Sequence, residues 1–436
     1  MWHRLPCYPL SRACRVYMWR LAGLGLLLSC VLGLNHTENL RVFREAEVAQ
    51  KQSGFIIDCF ILPPRVAHNT AIVPWPYSHR HFNSTLHTNS QKKMYPPILV
   101  VWRPSKGSGS VEFLVSSSGP TRDDWKTLRD WDMLENFVVN KQNKTERRRF
   151  NTPGDARLVA LPSGELRIIY ACTPKGEHFK MMYSDLQYSL RQNSLYVTMP
   201  FNYLYAKEEG ERIPQKNWVP FKYSVGDVSM VFYIACISPH HILYPSPEGN
   251  ATDVRSRWGW DVRTIPVITV AMTEAAGGAF PWGGQWGLPR GGTPPVLIDT
   301  PFGPRFLCFF HSSHNSLRPE PNSRVRTYFM GAYLFDPSPP FAVTHASRVP
   351  IVPSLAYNRT EWPAQAWAYI DVVVFPEGAV LLDAQTVAVS MGHNDVRGMI
   401  LLFNLSDYFF NHHLRSISSR VIIDRVSNAK ISVSFS

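Results

Sequence analysis

Arg157-Leu158-Val159-Ala160-Leu161, then Pro162-Ser163-Gly164, then Leu166-Arg167-Ile168-Ile169-Tyr170-Ala171-Cys172 reads as strand, turn and strand. The apolar runs are short and β-branched residues recur in them, while Pro-Ser-Gly supplies the turn chemistry. Similar units recur near Ser229–Cys236, Val296–His311 and Asp371–Gly392, and an earlier one ends at Ile98–Arg103. Apolar strands carried round one axis, with polar residues at their ends, build a β-propeller with a funnel-shaped site. Five units predict five blades; a β-sandwich of the same strand count is the competing architecture.

The 436 residues suffice for one large all-β domain or two ordinary ones. Hydrophobic residues make up 45% and charged residues 18%, which provides a core and argues against wholesale disorder. The 35 Pro and 26 Gly favour short strands and turns over long helices. Net charge is +12, but apart from Arg147-Arg148-Arg149 the positives are scattered, so nucleic acid is not the expected partner.

Arg4, Arg12, Arg15 and Arg20 precede an apolar run from Leu21 to Leu34. The run is shorter than the ~20 residues of a membrane span, which suits a signal core or a type II signal anchor. Basic residues before it predict a cytosolic start and a translocated remainder. The expected location is therefore the secretory lumen, with membrane attachment through this segment or secretion after cleavage. Sequons at Asn35, Asn83, Asn143, Asn250, Asn358 and Asn404 agree with luminal entry. Cys59, Cys172, Cys236 and Cys308 are left on that side, the last three in or at the ends of apolar strands, which predicts buried thiols and no disulfide framework.

The chain divides into a signal or anchor (1–34), an N-terminal extension or stem packing on the propeller (35–95), and a single propeller domain (96–436). Strand-and-turn rhythm fills 96–407, with long inserts at 104–150, 174–225, 238–290 and 312–365. Ile431–Phe435 alternates as a strand that closes the first blade.

Four constellations carry chemistry. Asp155, in Gly154-Asp155-Ala156-Arg157, is an acid at a strand mouth with small neighbours and a balancing arginine; an Asp before a strand is otherwise a turn residue. Lys216-Asn217-Trp218 offers a cation, an amide and an indole for phosphate and sugar. Gly291-Gly292-Thr293-Pro294-Pro295 introduces strands that carry His311 and Tyr328, which with Lys216 make a cluster of neutral and cationic donors. Met391-Gly392-His393-Asn394-Asp395 ends the last apolar strand, where Asn394 and Asp395 suit either sugar hydroxyls or a turn.

In this order and spacing, the segments resemble the mannoside phosphorylases of glycoside hydrolase family 130. They also resemble the related β-1,2-mannosyltransferases and mannan phosphorylases of Leishmania-type parasites. The resemblance runs from about Ile98 to Phe403. It rests on Arg103 ending an apolar strand, Asp155-x-Arg157 after Gly154, Lys216-Asn217-Trp218-x-x-Phe221 and Gly291-x-x-Pro294-Pro295. It continues through His311, Tyr328-x-x-Gly331-Ala332-x-Leu334-x-Asp336 and Val373-Val374-Phe375-Pro376-x-Gly378 to Asp395. The chain departs from the family where Glu-Asp-Pro-Arg becomes Gly154-Asp155-Ala156-Arg157, and where an Arg-Asn pair becomes Lys216-Asn217, which keeps the charge without the bidentate fork.

The resemblance implies a five-bladed propeller acting by inversion on β-mannosides, as mannosyltransferase or phosphorylase. Asp155 is implied as acid/base; Lys216, His311 and Tyr328 at phosphate; and Arg103, Arg157, Asn217 and Asp395 at sugar. One carboxylate suffices because phosphate needs no base, unlike the water of an inverting hydrolase. The implied partners are a mannoside or mannan acceptor and a mannose-1-phosphate or GDP-mannose donor, with no cofactor and no metal. Two other functions compete: a glycan-binding propeller without catalysis, and a nucleotide-sugar transferase using Asp130-Trp131-Asp132 as a metal-binding Asp-x-Asp. No apolar strand leads into that triplet, and Arg129 suits a solvated helix.

Overall fold

The computed structural model describes residues 38, 41–62, 70–75, 95–102, 110–116, 126–127, 131–132, 154–161, 163–172, 180–189, 194–206, 216–225, 228–238, 240–245, 259–264, 267–269, 282, 286–315, 326–338, 341–357, 370–394, 397–406, 409–417 and 421–423. The signal segment, Arg103, Asp395, the 431–435 strand and five of the six sequons lie outside them. Asn404, the sixth, is half-buried at the end of a strand. No helix among the described residues is long and apolar enough to cross a membrane.

A helix over 41–52 leads into β1 (Ile56–Ile61). Strands β2 (Thr70–Pro74), β3 (Ile98–Trp102) and β4 (Ser110–Ser116) form an antiparallel sheet, and the two-residue strands β5 (Lys126–Thr127) and β6 (Trp131–Asp132) both pair with β4. Trp131 and Asp132 are therefore strand, not the expected solvated helix, because the backbone finds a partner in Ser110–Val111.

One antiparallel meander contains β7 (Gly154–Ala160), β8 (Leu166–Cys172), β9 (Lys180–Ser189) and β10 (Ser194–Ala206). A second contains β11 (Val219–Val225), β12 (Val228–Cys236), β13 (His241–Pro245) and β14 (Gly259–Thr264). Parallel pairing of β10 with β14 fuses the two into one eight-stranded sheet. Next come β15 (Val267–Thr269), β16 (Arg290–Gly291), β17 (Val296–Thr300), β18 (Gly303–Asn315), β19 (Arg326–Phe335), β20 (Val343–Ser347) and β21 (Ile370–Val372). Of these, β16 to β21 make a sheet centred on the β18–β19 pair.

The last meander, β22 (Val374–Asp383), β23 (Thr386–His393) and β24 (Arg397–Asn404), takes β1 as its fourth strand. Two short strands follow: β25 (Leu414–Ser416) pairs with β20, and β26 (Val421–Ile423) pairs with β15. The stretch read as a stem thus supplies β1 and β2 to the sheets.

The fold is all-β and propeller-like. Four sheets of four or more strands stand where five separate blades were expected, because the β10–β14 hydrogen bonds merge two meanders into one sheet. β2 packs against β22 on one side and β7 on the other; β7 meets β11, β12 meets β16, and β18 meets β22. The units therefore follow one another round a common axis.

Where the sheets pack on one another both faces of a strand are buried, and runs such as Ile98–Trp102 are continuously apolar rather than alternating. Leu158 and Ile168 pack with Ala71 and Leu99, whereas their neighbours Val159 and Ile169 pack with Trp218 and Tyr233. Phe221 joins Phe306, Phe310 and Tyr333; Leu307 and Met330 join Val389 and Leu401; Val380 and Leu402 return to Ile72 and Val100. Each fully buried side chain of this size contributes about 1.5–3 kcal/mol. Cys59, Cys236 and Cys308 form no disulfide; of these only Cys308 is fully buried, and the other two are partly exposed.

Candidate active site

The first strand of the β7–β8 hairpin is irregular where it matters. Pairing runs from Gly154↔Ala171 directly to Arg157↔Ile169, so Asp155 and Ala156 form a bulge. Asp155 has φ 54°, a left-handed conformation that non-glycine residues rarely adopt and that costs about 1–3 kcal/mol. Bulges re-aim side chains, and here the bulge sets a nearly buried carboxylate at the strand mouth.

Arg157 holds that geometry. Its Nε donates to Gly292 O at 2.7 Å, Nη1 to Asp155 O at 2.8 Å and Nη2 to Gly291 O at 3.1 Å. It has no exposed surface. The expectation that Arg157 binds sugar is thereby corrected: its donors face main-chain carbonyls, and it ties β7 to the Gly291-Gly292 turn. Burial pulls its guanidinium below the ordinary arginine range, while Glu377 and then Asp155 act in the opposite direction.

Lys216 Nζ lies 2.7 Å from Asp155 Oδ2. The next residue, Asn217, has φ 67° and is buried, and its Oδ1 has no hydrogen-bond partner among the described residues. Gly291 presses on it: a Cβ on Gly291 would lie 2.0 Å from Asn217 O. Only glycine permits that approach.

His311 enters from β18 opposite Arg290 of β16. Its ring packs against Phe375 with centroids 4.1 Å apart and stacks on Tyr328 at 6.2 Å. Burial, reinforced by Arg157, Arg290 and Lys216 and opposed by Asp155, holds its pKa well below the ordinary histidine value. It is a neutral imidazole, with one donor and one acceptor, and its Nδ1 meets no partner among the described residues. Tyr328 is half-buried, and its carbonyl accepts the Tyr357 hydroxyl at 3.2 Å.

Asp155, Lys216, Asn217, His311 and Tyr328 thus lie near one another, brought from three successive units. Asn394 does not join them as a free amide. Its Oδ1 accepts from Val373 N–H at 2.8 Å and its N–H donates to Val373 O at 3.0 Å, which makes it a turn residue at φ 52°. Two neighbours, Arg290 and Glu377, escaped the sequence reading, and Phe375 was quoted in a motif without a role. Glu377 occupies the unspecified position of Val373-Val374-Phe375-Pro376-x-Gly378, and its one available signal was an acid inside an apolar strand.

No protein-family model matches the sequence, and no curated protein matches it. Solved structures do. The chain is similar to a structure of the GH130 family of mannoside phosphorylases, whose members include hydrolases of β-1,2-mannosidic linkages in Candida mannan, at 14% identity and TM-score 0.42, over 79% of this chain and 85% of the other. It is similar to MPT-1, a GDP-Man-dependent mannosyltransferase from Leishmania mexicana, at 11% identity and TM-score 0.44, over 86% and 98%. It is also similar to the β-1,2-mannobiose phosphorylase from Listeria innocua, at 15% identity and TM-score 0.41, over 69% and 68%.

Proposed function

We propose that the chain is a propeller enzyme that transfers mannosyl groups with inversion. The reading is supported by the collinear motifs of the sequence together with one observation. A nearly buried carboxylate at a strand mouth, Asp155, faces an ammonium, with a neutral histidine and a second cation alongside.

In the synthetic direction the acceptor hydroxyl gives its proton to Asp155, directly or through a sugar hydroxyl. Its oxygen bonds to the anomeric carbon, and the bond from that carbon to the phosphate oxygen breaks. Phosphorolysis is the reverse: phosphate attacks the anomeric carbon and Asp155 returns the proton to the departing oxygen. Lys216, His311 and Tyr328 serve the phosphate or nucleoside diphosphate, where preorganised donors stabilise developing charge. Asn217, with Arg103 and Asp395, serves the sugar. Residues 1–34 deliver the enzyme to the secretory lumen, where nucleotide sugars and glycan acceptors meet.

The test is product analysis with purified protein, mannose-1-phosphate, GDP-mannose and a panel of mannosides. A β-mannoside formed from one donor, or mannose-1-phosphate released from a mannoside, supports the proposal. Binding without turnover across both donors replaces it with a glycan-binding module.

A further inference from the structure

A second carboxylate lies near the site. Pairing between β22 and β23 steps from Pro376↔Met391 to Gly378↔Ser390, which leaves Glu377 in a bulge, as Asp155 is in β7. The strand is wedged there: a Cβ on Gly378 would lie 2.1 Å from Ile72 N. β22 also packs against β7, the strand that carries Arg157. Glu377 and Arg157 both have zero exposure. The buried carboxylates among the described residues are Asp155, Asp185 and Glu377. Asp185 is engaged by Arg167 at 2.7 and 2.8 Å, and Asp155 faces Lys216.

We infer that Glu377 is a positioning residue: it supplies the countercharge for the enclosed Arg157, whose three donated bonds fix the main chain of Asp155 and of Gly291-Gly292. A buried guanidinium bonded only to carbonyls remains an uncompensated charge, and removing a buried countercharge is strongly destabilising. Of the charges acting on Arg157, Glu377 contributes most to keeping it protonated. The bulge in β22 thus maintains the bulge in β7, and one acid sets the posture of the other. Glu377 does not touch substrate, since no part of it reaches solvent.

The inference rests on the proposed function only for its turnover readout. The experiment is a cycle of Glu377→Gln, Arg157→Met and the double variant, with Glu377→Asp as the conservative control. Thermal unfolding should show that each single change lowers Tm and that the double loses less than the sum. Additive losses overturn the pairing, whatever the enzyme's substrate. In turnover, Glu377→Gln should lower kcat about a hundredfold, the scale of a small misplacement of a reacting group. KM should barely move, and Glu377→Asp should recover part of the loss. Unchanged kcat overturns the positioning role. A crystal structure of Glu377→Gln reads the same effect without turnover: Asp155 should leave its left-handed conformation, and an unmoved Asp155 contradicts the inference. Wild-type protein with no turnover but a coupled Tm cycle would sink the proposed function alone.

Discussion

Lys216 Nζ and Asp155 Oδ2 lie 2.7 Å apart, each delivered by the residues that open a different antiparallel meander. The Lys216 side chain is 41% exposed and the Asp155 side chain 9%. Under the proposed function a phosphate would therefore meet the lysine from the solvent side, with the carboxylate more enclosed. Lys216→Ala should raise the KM for phosphate or sugar-phosphate donor about 10- to 100-fold, the scale of a hydrogen bond to a charged group. Affinity for the mannoside should change much less. Steady-state kinetics with each substrate varied in turn checks this split.

Gly291 is the second sensitive point. A methyl there would meet Asn217 O at 2.0 Å and Val219 Cγ2 at 2.7 Å, and the first is main chain that cannot turn aside. Gly291→Ala should cost about 1–3 kcal/mol through overpacking. It should also disturb Asn217, and so weaken sugar binding more than Gly303→Ala, which is strained by its φ of 89° but whose added Cβ meets nothing nearer than 3.6 Å. Denaturant unfolding and mannoside titration of the two variants provide the comparison.

Acid should destabilise the fold. His413 is buried, its Nε2 lies 3.0 Å from Ser347 Oγ, and burial pushes its pKa down to about 3 from 6.5. His311, His345 and His393 are lowered by burial as well. The unfolded chain binds these protons near pH 6.5 and the folded chain does not. The stability they contribute is whole above pH 6.5 and is lost as pH falls toward the folded values. For His413 alone the slope in that window is at most about 1.4 kcal/mol per pH unit. Tm measured from pH 7 to 4 should fall, and His413→Gln, which cannot titrate, should flatten the curve.

The hairpins were legible because strands covered on both faces carry unbroken apolar runs, as in Ile98–Trp102, and only turns interrupt them. The parallel pairing of β10 with β14 was not legible, since side-chain pattern carries no signal for which distant backbone edges meet. Nor was the completion of the last meander by Ile56–Ile61, more than three hundred residues before its partner β24. In the site, Asp155, Lys216, Asn217, His311 and Tyr328 announced themselves as polar residues at strand ends. Arg157 was visible but misassigned, because its role depends on the carbonyls of Gly291 and Gly292, which sequence does not place. Glu377 was missed because the burial of an acid becomes a signal only once the strands around it are known.

The account stands or falls on Asp155. Asp155→Asn keeps the shape and most of the hydrogen bonding but cannot transfer a proton, a function worth ~10²–10⁴-fold in rate. The decisive measurement is kcat of purified Asp155→Asn with mannose-1-phosphate or GDP-mannose and a mannoside acceptor, alongside its Tm and mannoside affinity. A folded variant that binds mannoside normally and turns over at least a hundredfold more slowly is the predicted result; a folded variant with near-normal turnover contradicts it.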